Sequence, residues 1–250
     1  MSGHSKWSTI KHKKAAVDAA RGAVFQKFSR EIMVAAKLGG ADPAGNFRLR
    51  TAIDRAKAAG LPNDNIKRAI EKGAGSDAGG SMEELAYEGY SAGGCAVFIE
   101  TMTDNRNRTA GDIRSLFTKF GGSLGAAGCV SWMFKQQGVI EFGKENTDFE
   151  KLFEAAIEAN AQDVIEEDDV YKVITAPEDF QNCTETLEKN GFKGSSAELT
   201  RTAENLTEIK DEKTAQNILR LIDRLEELDD VQNVYSNADI PDELMEKLDI

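Results

Sequence analysis

Apolar positions recur at helical spacing in the first third of the chain and at alternating strand and helical spacings beyond it. From about Lys13 to Leu38, the residues Val17, Val24, Phe28, Ile32 and Ala35 fall at steps of seven, four, four and three, which puts them on one helical face. Gly39-Gly40 stops that helix. A second helix is predicted over roughly Ala44 to Ala59 with Phe47, Ile53 and Ala56 inward, broken by Gly60-Leu61-Pro62. A third runs from Asn65 to Lys72, with Asn63 or Asp64 as its cap. Three helices on short turns make a small bundle. The last two superficially resemble a helix-turn-helix, although most such pairs are packing units.

Gly73 to Ser81 is small and polar, and the pattern changes after it. Leu85–Ser91 and Cys95–Met102 read as strands of a hairpin around Gly93-Gly94. Thr109-Ala-Gly-Asp112 reads as a capping box for a helix reaching Phe120, and Cys129–Phe134 as a further strand. Between Gly138 and Asn205 the order is strand Val139–Phe142, helix Asp148–Asn160, strands Val164–Glu167 and Val170–Thr175, a helix from Pro177 to Asn190, and strand Ser196–Thr202. That is the βαββαβ order of a ferredoxin-like plait. In its first helix Phe149, Leu152, Phe153, Ala156 and Ile157 are expected to face inward. Leu206–Ile209, a helix Asp211–Leu228 and strand Val231–Ser236 then supply the second half of the 85–134 unit. The expected fold is α+β: a basic arm and three-helix bundle over residues 1–80, a discontinuous plait domain over 81–136 with 206–250, and an inserted plait over 137–205.

Charge sharpens this division. The formal net charge is −12, yet residues 1–80 carry 15 Lys and Arg against 7 Asp and Glu, and the remaining 170 carry 16 against 36. A segment of about +8 is hidden in an acidic chain, and phosphate attraction depends on where charge lies. Residues 1–12 read as a basic arm that could extend on the order of 40 Å. The arm and first helix offer His4, Lys6, Trp7, Lys11, His12, Lys13, Lys14, Arg21, Lys27 and Arg30 as nucleic-acid-binding candidates. The cations would neutralise phosphates, and Trp7 could stack on an unpaired base. Asn105, Arg106, Asn107 and Arg108 precede a helix and form a second candidate set. The alternative there is a polar connection in which Asp104 pairs with Arg106 or Arg108.

Other chemistry is poorly supported. No apolar run reaches the roughly 18–20 residues of a membrane span, and the N-terminus lacks the apolar core of a secretory signal. Cys95, Cys129 and Cys183 match no metal or disulfide spacing and read as reduced thiols of a cytoplasmic protein. Gly121–Gly128 lacks the Lys-Ser/Thr of a phosphate loop and reads as tight turns. Glu166-Glu167-Asp168-Asp169 lacks calcium-loop spacing. Both histidines lie on the arm, so no catalytic residue, metal site or cofactor is expected.

Several strings carry a resemblance. Ser2-Gly-His-Ser-Lys-Trp7, Ile10-Lys-His-Lys-Lys-Ala15, Gly60-Leu-Pro-Asn-Asp-Asn-Ile66, Arg68-Ala-Ile-Glu-Lys-Gly73, Tyr87-Glu-Gly-Tyr90, Thr103-Asp-Asn-Arg-Asn-Arg-Thr109, Val234-Tyr-Ser-Asn237 and Asp239-Ile-Pro241 together resemble the YebC family over nearly the whole chain. Ser91-Ala92-Gly93-Gly94 departs from it, since a Pro is usual before the Gly pair. The resemblance implies three domains with the third inserted into the second, and a cytosolic, non-enzymatic nucleic-acid-binding protein. The family is commonly described as transcriptional regulators. Its mitochondrial relatives are described as translational activators, and bacterial members are linked to the ribosome and to relief of stalling at proline runs. The expected function is a nucleic-acid-binding regulator of gene expression. A ribosome-associated factor contacting rRNA or tRNA is favoured, with a DNA-binding transcriptional regulator as the alternative. A protein-recruiting adaptor working through the acidic domains is the second alternative.

Overall fold

The computed structural model describes residues 19–75 and 82–248. It is mixed α+β, with helices first and antiparallel sheets after them. The chain divides into two compact units, residues 1–134 with 203–250, and residues 135–202.

The first unit opens with α1 (Ala19–Gly39), α2 (Phe47–Ala58) and α3 (Asn63–Ala74). Ile32, Ala35 and Ala36 of α1 meet Leu49, Ala52, Ile53 and Ala56 of α2 and Ile66 and Ala69 of α3 in one core. The periodic face of α1 is thus its buried face from Phe28 onward, whereas Val24 remains exposed. Asn46 joins two helix ends. Its Oδ1 accepts from the Leu49 N–H at 3.0 Å to cap α2, and its Nδ2 donates to the Ala35 and Gly40 carbonyls, both at 2.8 Å. Gly60 closes α2 in the left-handed region, and the Leu61 N–H returns to the Ala56 carbonyl. Helix α3 starts after Pro62, without the side-chain cap expected from Asn63 or Asp64. Helices α2 and α3 each pack chiefly on α1 and touch one another little, so they do not form a self-contained helix pair.

Strands β1 (Glu83–Tyr90) and β2 (Ala96–Thr103) form the expected hairpin, followed by α4 (Arg106–Lys119) and the short β3 (Ser123–Leu124). After the second unit the chain returns as β8 (Thr207–Glu208), α7 (Glu212–Glu226), β9 (Val231–Ser236), β10 (Ala238–Asp239) and α8 (Asp242–Lys247). The sheet order is β3-β1-β2-β9, and β8 pairs in parallel with β10. One sheet face packs Val97, Ile99 and Val234 against Ile113 and Phe117 of α4 and Ile218, Leu221, Ile222 and Leu225 of α7. The other face packs Phe98 and Tyr235 against Val130 and Phe134.

Two local expectations fail here. Helix α4 starts four residues earlier than the Thr109 capping box implied, because Asn105 Oδ1 accepts from the Arg108 N–H at 3.1 Å; Thr109 lies buried inside the helix. Residues 129–133 are not a strand, and Phe134 opens the next one. Ser131–Met133 form a 3-10 turn, and the Glu88 carboxylate accepts from the N–H groups of Gly128, Val130 and Ser131, each at 2.7 Å. An internal carboxylate far away in sequence organises this segment.

The second unit contains β4 (Phe134–Gly143), α5 (Phe149–Glu158), β5 (Asp163–Glu166), β6 (Val170–Thr175), α6 (Phe180–Lys189) and β7 (Ser196–Ala203), in the sheet order β5-β6-β4-β7. This is the ferredoxin-like plait read from the pattern. Its core holds Ile140, Phe142, Leu152, Val173, Phe180, Cys183 and Leu187. Phe149, Phe153 and Ile157, expected inward, are instead exposed, because Leu152, Ala155, Ala156 and Ala159 already fill the sheet-facing side of α5.

The tightest approach in the bundle is at Gly73, where a Cβ would sit 2.3 Å from the Met33 carbonyl oxygen of α1. Backbone cannot rotate away as a flexible side chain can. Gly73→Ala is therefore expected to cost about 1–3 kcal/mol, read as a lowered urea midpoint. Gly45→Ala, where a Cβ meets nothing, should leave that midpoint within about 0.5 kcal/mol.

Candidate nucleic-acid interface

The candidate residues divide into three groups by position. His4, Lys6, Trp7, Lys11, His12, Lys13 and Lys14 lie outside the described residues. Arg21 falls in the first turn of α1. Lys27, Arg30 and Arg108 converge on one place, the end of α7 and the loop that joins it to β9, whereas Arg106 and Asn107 do not reach it.

Asp230 is the centre of that place. It is 6% exposed, and its Oδ2 accepts from Arg108 Nη2 at 2.8 Å, Thr109 Oγ1 at 2.7 Å and Thr103 Oγ1 at 3.1 Å. Arg30 Nη1 of α1 lies 3.1 Å from its Oδ1. Its backbone carbonyl accepts from the Met102 N–H at 2.8 Å, and the Thr103 hydroxyl oxygen accepts from the Asn105 N–H at 2.9 Å. Burial by itself would raise the Asp230 carboxyl; hydrogen bonds from Arg108 and Thr109 and the Arg30 guanidinium charge outweigh it and hold the group below the ordinary carboxylate range. Beside it, Arg30 also donates to the Asp229 carbonyl, and Lys27 Nζ to the Glu226 carbonyl at 2.7 Å. Lys27 therefore meets the carbonyl end of α7, where helix partial charge is negative, and Arg30 the loop just beyond it.

The polar loop before α4 has the ion pair weighed as its alternative reading. Arg108 reaches Asp104 at 2.9 Å as well as Asp230. Asn105 closes the helix N-terminus that an incoming phosphate would need. Arg106 and Asn107 stay exposed, with the Arg106 carbonyl accepting from Tyr87 Oη at 3.1 Å. Arg48 of α2 pairs with Glu84 of β1, so the bundle is tied to the sheet at a second point.

Sequence reasoning missed the exposed cations of α3. Lys67, Arg68 and Lys72 project to solvent while Ile66 and Ala69 are buried beneath them. The 68/72 spacing on an amphipathic helix was the available signal. It also missed Asp230, for which no local signal existed.

Other sites are closed to ligands. The N–H groups of Gly128, Val130 and Ser131 face the Glu88 carboxylate, so the Gly-rich segment has no vacancy for phosphate. All three cysteines are free thiols. Burial pushes the Cys95 and Cys183 thiols up to about 11, and burial with the Glu88 charge also raises Cys129, so none is a ready nucleophile near neutrality. Among the described residues there is no group of three or more His, Cys, Asp and Glu placed to hold a metal, and no helix is long and apolar enough to cross a membrane.

Comparison with known proteins places this architecture. Residues 5–76 match a family model described as the TACO1/YebC protein N-terminal domain, and residues 82–238 match the TACO1/YebC second and third domain. The chain belongs to the TACO1/YebC family. It is 58% identical over 248 residues to a probable transcriptional regulatory protein of Geobacter sulfurreducens, covering 99% of this chain and all of that one. A protein of the same description from Treponema pallidum is 53% identical over 245 residues, covering 98% of this chain and all of that one. The crystal structure of a conserved hypothetical protein from Aquifex aeolicus superposes with a TM-score of 0.83 at 50% identity, covering 93% of this chain and 96% of the other.

Asp230 has a folded-state affinity for protons below its unfolded one, so its contribution is complete above the unfolded carboxyl range near 4 and is lost as pH falls through the lower folded value. Asp230→Asn is expected to cost about 3 kcal/mol at pH 7. The acid limb of stability against pH, measured by urea midpoints, should be shallower in the variant than in the parent chain.

Proposed function

We propose that this TACO1/YebC-family chain is a non-enzymatic, cytoplasmic regulator of gene expression that binds nucleic acid through its first eighty residues. Structured RNA on the ribosome, rRNA or tRNA, is the favoured target. The observation that carries the reading is the partition of charge: 15 Lys and Arg against 7 Asp and Glu before the linker, and 16 against 36 after it. A phosphate surface approaching the chain is drawn to the arm and bundle and repelled by most of the rest.

The geometry refines which cations do what. Lys27, Arg30 and Arg108 are engaged with the end of α7 and the loop after it, so their proposed contribution is to hold the bundle against the sheet and fix the start of the arm. Phosphate contact is assigned to His4, Lys6, Lys11, His12, Lys13, Lys14 and Arg21, with Lys67, Arg68 and Lys72 on the outer side of α3. Trp7 is assigned to base stacking. Irregular RNA suits this arrangement better than a DNA groove, because α2 and α3 do not form an independent reading pair.

DNA-binding transcriptional regulation is the second reading, and the names of the Geobacter and Treponema relatives, probable transcriptional regulatory proteins, favour it. Sedimentation of the full chain with ribosomes at two salt concentrations separates the two. Salt-sensitive co-migration supports RNA; a chain that stays at the top of the gradient while retarding promoter fragments supports DNA. Replacing Lys67, Arg68 and Lys72 with Gln should weaken RNA binding and reduce the slope of log affinity against log salt by about one per lost phosphate contact, with the urea midpoint unchanged.

A further inference from the structure

We propose that the exposed side of α5 is a docking surface for a basic amphipathic helix of a partner protein. The helix carries two apolar stripes. Leu152, Ala155, Ala156 and Ala159 face the sheet and are buried. Phe149, Phe153 and Ile157, each four residues from the next, form a second stripe and remain 37%, 42% and 63% exposed. Its aromatic end is joined to the sheet: the Phe149 ring lies 5.9 Å from that of Phe153 and 5.1 Å from that of Tyr171. It spans about 12 Å along the axis, two turns of a facing helix.

Charge selects the occupant. Glu150, Glu154 and Glu158 each follow a stripe residue by one position, so they form a parallel acidic row about 100° further round the helix. All three are exposed, and none enters an ion pair among the described residues. Residues 135–202 carry seven Lys and Arg against sixteen Asp and Glu, a formal −9. That charge opposes a nucleic acid or an anionic lipid surface. A second copy docking through the same stripe would set two acidic rows side by side. The one cation within α5, Lys151, lies 3.6 Å from Asp148 and away from the stripe. An occupant with apolar anchors at one-turn spacing and Lys or Arg beside them satisfies both features. This surface is separate from the nucleic-acid interface and does not depend on it.

The test uses the full chain and a fluorescein-labelled 14-residue helix of Leu and Lys, with Leu at positions i, i+3, i+4 and i+7, beside a counterpart with Glu for Lys. Anisotropy should show binding of the Lys helix and not of the Glu helix. Phe153→Ser with Ile157→Ser should weaken binding roughly tenfold or more, and Glu150, Glu154 and Glu158→Gln should weaken it several-fold and flatten its salt dependence. Both sets are exposed, and unchanged urea midpoints show that the fold is kept. Absence of binding, equal binding of the Glu helix, or equal binding to the serine variant overturns the proposal. So does self-association of the full chain that the serine substitutions abolish, since a second copy would then occupy the face.

Discussion

The structure of the first unit turns on a single buried carboxylate. Asp230 gathers Arg30 from the bundle, Arg108, Thr109 and Thr103 from the sheet domain, and its own backbone bond to Met102. A carboxylate this buried is costly unless its oxygens are satisfied by charge and hydrogen bonds together. Here the satisfaction comes from the bundle and the sheet domain together. The electrostatic requirement of one side chain thus becomes a geometric constraint. Helix α1 can dock only where Arg30 reaches Asp230 and where Lys27 and Arg30 reach the carbonyl end of α7 and the loop just beyond it.

That constraint changes how the basic segment is to be understood. A cation on a solvated helix is available to phosphate; a cation engaged with a buried carboxylate is not, because withdrawing it would strand the carboxylate. The same distinction explains the Gly-rich segment, where three N–H groups that might cradle an anion already face Glu88. In both places the chain supplies its own anion. Among the described residues of the bundle, Lys67, Arg68 and Lys72 on the outer side of α3 keep their charge exposed.

Legibility in the sequence followed the range of the interaction. Local periodicity was enough for α1 from Phe28 on, for the hairpin of β1 and β2, and for the whole βαββαβ order of the second unit, because their hydrogen bonds and apolar faces are set by neighbours a few positions apart. It was insufficient where the deciding partner is distant. Thr109 looked like a helix cap because Ser and Thr usually serve that role; Asn105 has it, and Thr109 is drawn inward by Asp230. Residues 129–134 looked like a strand because they are apolar; Glu88 bends those before Phe134 into a turn. Among the candidate cations, composition could locate the excess charge but could not separate Arg30 and Arg108 from Arg106, since their carboxylate partner lies more than a hundred positions away.

The α5 stripe is the converse case, in which a correct pattern led to a wrong face. Phe149, Phe153 and Ile157 are as apolar as any core residues of the second unit, and a helix with so wide an apolar surface is ordinarily expected to bury all of it. A helix can turn only one side to the sheet, and small residues take most of that side here: Ala155, Ala156 and Ala159 are buried beside Leu152. The phenylalanines lie at the margin, where the Phe149 ring meets those of Phe153 and Tyr171. Keeping three large apolar side chains exposed forgoes stabilisation of about 1.5–3 kcal/mol for each side chain that could have been fully buried. A small core-facing alanine set and a large outward-facing aromatic set on one helix are consistent with a surface whose burial is completed by another molecule. The acidic row beside it narrows that molecule to one carrying positive charge.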